Sequence, residues 1–139
     1  MFSIGVLSKK TGVKVPTIRY YEQIGLIAPA IRTTGNQRRY RESELERLGF
    51  IKHARDLGFS IEAISALIEL NHHPDKSCAA ANAIARQQLR DTRAKIASLK
   101  KLETELVRID EGCAGEGVVS DCYVLRSLAD HGQCMAGHD

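Results

Sequence analysis

Apolar positions recur at helical spacing along most of this chain, and glycine or proline marks most points where the rhythm breaks. Ile4, Val6 and Leu7 begin a short apolar helix that Gly12 is expected to end, since glycine tolerates the left-handed conformation that closes helices. Pro16 and Ile18 restart a helix, with the proline in its first turn, where a missing N–H costs nothing. Ile18, Tyr21 and Ile24 share one face of this second helix, while Thr17, Arg19 and Tyr20 project elsewhere. Two short helices across a tight turn predict a helix-turn-helix.

After Gly25 and Pro29, the run IRTTGNQRRY places β-branched and aromatic residues around a polar, glycine-containing turn, which predicts a small β-hairpin, or wing. Residues 42–57 form the next helix, with Leu45, Leu48, Ile51 and Ala54 as its apolar stripe and Gly58 as its stop. Ser60 caps a helix over 61–70, where Ile61, Ile64, Leu67 and Ile68 repeat the pattern until His72, His73 and Pro74 break it. From 75 to 111 there are 37 residues with neither Gly nor Pro, and Leu89, Ile96, Leu99 and Leu106 recur at spacings of seven and three. That is the seam of a coiled coil. Ala85 and Thr92 extend it, although Glu103 occupies an expected apolar position and Leu102 partly substitutes. So narrow a seam needs a partner of equal length, and a second copy of the chain is the simplest one. A glycine-rich loop over 112–117 follows, then a short helical segment over 123–129.

The expected architecture is therefore mainly α. A winged helix-turn-helix domain (residues 1–74) precedes a long dimerisation helix (75–111) with a coiled-coil seam, and a C-terminal loop with a short helix and tail (112–139) completes it.

Composition changes this picture little, but charge and cysteine sharpen it. The chain has 139 residues, 43% hydrophobic and 27% charged, as in ordinary soluble proteins. No apolar run approaches the roughly 20 residues that cross a bilayer, and the first residues lack a secretory layout, so no membrane partner and a cytoplasmic location are expected. The net charge of +3 conceals an asymmetry. Residues 1–60 hold 11 Lys and Arg against 5 Asp and Glu, whereas residues 61–139 hold 9 against 12. A basic first half suits a polyanion, because each neutralised phosphate releases condensed counterions. In a reducing compartment the four cysteines are read as thiols or metal ligands before disulfides.

The motifs IGVLSKKTGV, TIRYYEQIGLI, RTTGNQRRY and LGFIKHARDLGFSIEAI, followed by a long helix ending at Cys113, jointly and in order resemble the MerR family of bacterial transcription regulators. The resemblance implies a homodimer on double-stranded promoter DNA, with the helix after the turn in the major groove and the wing on the flanking backbone. Thr17, Arg19 and Tyr20 then lie on the recognition helix, and Lys14, Arg32, Arg38, Arg39 and Tyr40 face phosphates. Tyr21 reads as core, and Arg41 and Arg47 as solvated surface. The family mechanism has the metal-bound dimer twist an overlong promoter spacer into a form RNA polymerase can use, which implies an activator of heavy-metal resistance or efflux genes.

Cys78 opens the long helix, Cys113 follows its end, and Cys122 comes nine residues later. A helix from 78 to 112 is about 50 Å long, far beyond the roughly 2.3 Å reach of a metal–thiolate bond. One chain cannot close a site from both ends. Antiparallel pairing puts Cys78 of one subunit beside Cys113 and Cys122 of the other, giving two equivalent sites. The plainer reading of each cysteine is a small buried hydrophobe, which suits Cys78 better than Cys113 and Cys122 among their glycines and acidic residues. Metal-responsive members of the family carry cysteines at these three positions.

Thiolates select soft or borderline divalent ions: cadmium, lead, zinc or mercury. Family members for monovalent copper or silver typically have serine in place of Cys78 and a loop one residue shorter. Zinc-responsive members usually carry a further cysteine where this chain has Ala114. Three thiolates suffice for lead, mercury or cadmium, while zinc prefers four ligands and would recruit His72, His73, Asp121 or Cys134. Cadmium and lead come ahead. His131, Cys134 and His138 form either a second site or a plain tail.

Other classes fit less well. No motif flanks a cysteine–histidine pair to make an enzyme, and a drug sensor needs more than the 28 residues after Glu111. An iron–sulfur redox regulator of the same family needs four closely clustered cysteines, but is the strongest alternative.

Overall fold

A computed structural model describes residues 1–112, 115, 117–119 and 122–129. The chain divides into two units, Met1–Ile84 and Ala85–Asp139.

In the first unit, α1 (Ile4–Thr11) starts at Ser3, whose hydroxyl accepts from the Val6 N–H, and ends at Gly12, φ +77°, whose N–H donates to the Ser8 carbonyl. Only a residue without Cβ takes that conformation at little cost. Thr11 tightens the turn, its hydroxyl donating to the Leu7 carbonyl and accepting from the Val13 N–H. Helix α2 (Val15–Gln23) follows with Pro16 in its first turn. Leu7, Ile18, Tyr21 and Leu48 join α1, α2 and α3 (Glu42–Asp56) in one core, to which Ile64 and Ile68 bring α4 (Ile61–Asn71). Ile24, expected on the buried face of α2, instead caps that helix and is 42% exposed, because α2 stops one residue earlier.

Strands β1 (Ile31–Arg32) and β2 (Arg38–Arg39) pair antiparallel, with Ile31 opposite Arg39 and Arg32 opposite Arg38. Asn36 turns the hairpin at φ +60°, a conformation asparagine tolerates better than most residues. Reciprocal backbone bonds between Phe2 and Tyr40, both 2.8 Å, stitch the chain's start to the end of the wing. Helix α3 begins where the Glu44 carboxylate accepts from the Arg41 N–H, and the chain leaves it through Gly58, φ +89°.

Helix α5 runs unbroken over Ala79–Glu111, 33 residues. It starts later than residue 75 because the chain turns first, with Ser77 accepting from the Ala79 N–H. Leu89, Ile96, Leu99 and Leu106, the expected seam, are between 46% and 64% exposed in the single chain. In the second unit, α6 (Tyr123–Ala129) packs on the last turns of α5, where Glu105 and Ser127 are buried.

Candidate nucleic-acid interface and thiol centre

Helix α2 presents its polar face because its apolar face is committed to the core. Ile18 is fully buried, so Arg19 and Tyr20 stand exposed and Thr17 half-buried beside them, with Lys14 exposed at the cap position. Tyr20 leans on Tyr21, ring centroids 6.1 Å apart, which restricts its rotamers.

The wing supplies the other cations. Arg32 reaches the Asn36 carbonyl, and Arg39 donates to the Arg38 carbonyl at 2.8 Å and to the Gln37 side chain at 2.7 Å. Two guanidinium groups are thereby held along one short hairpin, a geometry suited to phosphate oxygens.

Glu22 joins the two elements, and the sequence reading missed it. Its Oε1 accepts from the Ala30 N–H at 2.6 Å, while Oε2 lies 3.5 Å from the Tyr40 hydroxyl and 3.9 Å from Arg38 Nη1. A lone glutamate on a helix gives no sign in sequence that it bridges to a hairpin eight residues on.

The structure places Tyr40 differently from the expectation that it faces phosphate. Only 1% exposed, it belongs to the core beneath the wing. Burial first, and then the charge of Glu22, hold its phenol above the ordinary pKa of 10.0, so it is a neutral donor. Arg47, expected as solvated surface, is a strut: it donates to the Leu26 carbonyl at 3.2 Å and contacts His72 at 3.3 Å.

The thiols sit beyond the ends of α5. Cys78 is exposed, and its carbonyl accepts the first helical bond, from the Asn82 N–H. With Phe50, Leu67, His73, Pro74 and Ala81 it lines a surface pocket of about 300 Å³. Glu69 holds His73 at 3.4 Å and lies 3.9 Å from His72. Cys122 is half-buried, and its carbonyl accepts from the Arg126 N–H at the start of α6. As soft donors, both suit a thiophilic ion. Cys113, Asp121, His131, Cys134 and His138 lie outside the described residues.

Two short helices, a basic hairpin and a buried core behind them define a winged helix-turn-helix regulator. Residues 2–70 match the MerR HTH family regulatory protein, and residues 45–109 match the family's DNA-binding part. The chain is 38% identical over 130 residues, 92% of each chain, to the transcriptional regulator ZntR of Escherichia coli K12. It is 39% identical over 127 residues to the mercuric resistance operon regulatory protein of Shigella flexneri, covering 91% of this chain and 86% of that one. Among solved structures, the transcription regulator PbrR691 of Ralstonia metallidurans CH34, in complex with lead(II), superposes with a TM-score of 0.76 at 34% identity, over 92% and 99% of the two chains. The chain belongs to the MerR family of transcription regulators.

Proposed function

We propose that this protein is a metal-responsive transcription regulator that binds promoter DNA as a homodimer and is switched by a soft or borderline divalent ion. The observation that carries this reading is a helix-turn-helix unit joined to an unbroken helix, Ala79–Glu111, with Cys78 directly before it, Cys113 two residues after it and Cys122 nine residues further on.

On the DNA side, Thr17, Arg19 and Tyr20 read the major groove, and Lys14, Arg32, Arg38 and Arg39 meet phosphates. Tyr40 supports them from below. Residues 1–74 act as the DNA-binding part, 75–111 as the dimerisation helix and 112–139 as the metal-binding part. The exposed seam of α5 pairs antiparallel with a second copy, which covers Leu89, Ile96, Leu99 and Leu106.

A 33-residue helix spans about 50 Å, so Cys78 shares an ion with Cys113 and Cys122 of the partner subunit. Three thiolates favour cadmium or lead over zinc. That relatives include a mercuric resistance regulator and a protein solved with lead(II) supports this class of ion. As a regulator of promoter DNA the protein works in the cytoplasm; no helix among the described residues is long and apolar enough to cross a membrane. The metal-bound dimer activates heavy-metal resistance or efflux genes by distorting the promoter for RNA polymerase; it is not an enzyme.

The test is titration of the reduced dimer with cadmium, lead, zinc and mercury against competing chelators, followed by transcription from its promoter with each metal. Tight binding of about one ion per subunit, with matching induction, is expected. A brown protein as purified, with induction by oxidants and not by metals, would establish the redox reading instead.

A further inference from the structure

The loop carrying two of the proposed thiolates is closed by residues that are not themselves ligands. Tyr123, the first residue of α6, lays its ring against Gly112, the residue after α5. The fit is so close that a Cβ built on Gly112 would clash with the edge of the ring. One turn earlier on α5, Arg108 Nη1 donates to the Tyr123 hydroxyl at 2.9 Å. Gly112 is not held in the left-handed region, so what selects glycine there is the tyrosine ring and not the backbone. Gly112 is the covalent neighbour of Cys113, and Tyr123 that of Cys122. The contact therefore joins the two ends of a ten-residue loop, 113–122, that begins and ends in cysteine.

We infer that Tyr123 is a positioning residue: with Gly112 and Arg108 it forms a clasp that closes the cysteine loop before any ion arrives, so that the ion does not have to close it. The inference rests on Cys113 and Cys122 being metal ligands. Without the clasp, metal binding bears the entropy of closing a loop of about ten residues, which scales as the three-halves power of its length, about thirty-fold in affinity. With it, that cost is met during folding by ring packing and one hydrogen bond.

The experiment measures cadmium affinity by chelator competition for the full-length reduced dimer and four variants. Tyr123→Ala weakens binding by up to about thirty-fold. Tyr123→Phe keeps the ring and loses the bond from Arg108, costing about three- to ten-fold for one hydrogen bond. Gly112→Ala weakens binding in the wild-type background, because its methyl displaces the ring. In the Tyr123→Ala background the same substitution has no effect, since there is nothing left to displace; that non-additivity marks a clasp and not two independent structural residues.

At saturation the thiolate-to-cadmium charge-transfer absorption per ion stays at the wild-type level in every variant, because Tyr123 is not a ligand. Operator affinity of the metal-free dimer reports that each variant is folded, and Tyr123→Phe with Gly112→Ala carries the test if Tyr123→Ala does not fold. Wild-type metal binding with unchanged affinity in Tyr123→Ala and Gly112→Ala overturns the clasp alone. Absence of wild-type cadmium, lead, zinc or mercury binding overturns the metal reading, and the clasp's role with it.

Discussion

Replacing Glu22 with alanine removes a side chain that bonds α2 to the backbone entering the wing. Its strongest contact is the 2.6 Å bond from the half-buried Ala30 N–H, charge-assisted and contributing about 1.5–3 kcal/mol. The pair with Arg38 adds little: at 3.9 Å, with the arginine side chain 45% exposed, it belongs with surface ion pairs of about 0.5 kcal/mol. The Tyr40 hydroxyl at 3.5 Å sits at the limit of a hydrogen bond. Water reaches part of this site, so the low end applies, and Glu22→Ala costs about 2 kcal/mol. Glu22→Gln keeps an acceptor for Ala30 and costs about 1 kcal/mol. Denaturant unfolding of the metal-free dimer at fixed protein concentration measures both. Operator titrations over a range of salt add the functional side: affinity falls as the wing loosens, but the salt slope holds, because no phosphate contact is removed. Unchanged stability in Glu22→Ala would refute the strut. Equal losses in Glu22→Ala and Glu22→Gln would show that charge, and not the bond from Ala30, does the work.

Arg19→Ala and Arg38→Ala weaken operator binding and each lower the salt slope by about one per lost phosphate contact; an unchanged slope removes that arginine from the DNA face. Cys113→Ser and Cys122→Ser each abolish the transcriptional response to metal while metal-free operator affinity holds; an equal fall in that affinity contradicts the separation of the two functions. A verified mixed dimer of Cys78→Ser and Cys113→Ser/Cys122→Ser subunits recovers about half the wild-type metal capacity, because a helix of this length allows a site only between subunits, and no recovery rules that site out. Because Tyr40 keeps its proton in the fold above pH 10.0 while the unfolded chain ionises, stability falls as pH rises past that value. Tyr40→Phe removes this contribution, and chemical denaturation on either side of pH 10 detects it.

What was legible in the sequence is what local rules determine. Gly12 and Gly58 end helices because the left-handed turn there needs no Cβ, and the turn signal TTGN places the hairpin between β1 and β2. The α5 seam was equally plain, since period alone exposes it. Beyond small shifts in the ends of α2 and α5, the departures involve a side chain whose partner is distant in sequence or on another element. Arg47 and Tyr40 look like surface cations and wing aromatics until the fold sets them against Leu26 and Glu22, respectively 21 and 18 residues away. Gly112 reads as one glycine in a glycine-rich loop, yet it is the seat for Tyr123. These residues share a physical character. Each satisfies a polar group or fills a contact between elements whose existence the pattern predicts but whose approach it does not. Cys78 and Cys122 are the opposite case: their chemistry is readable from type and spacing, because a thiol needs no neighbour to identify it as a soft donor. The proposed ligands are thus easier to name from sequence than the residues proposed to position them.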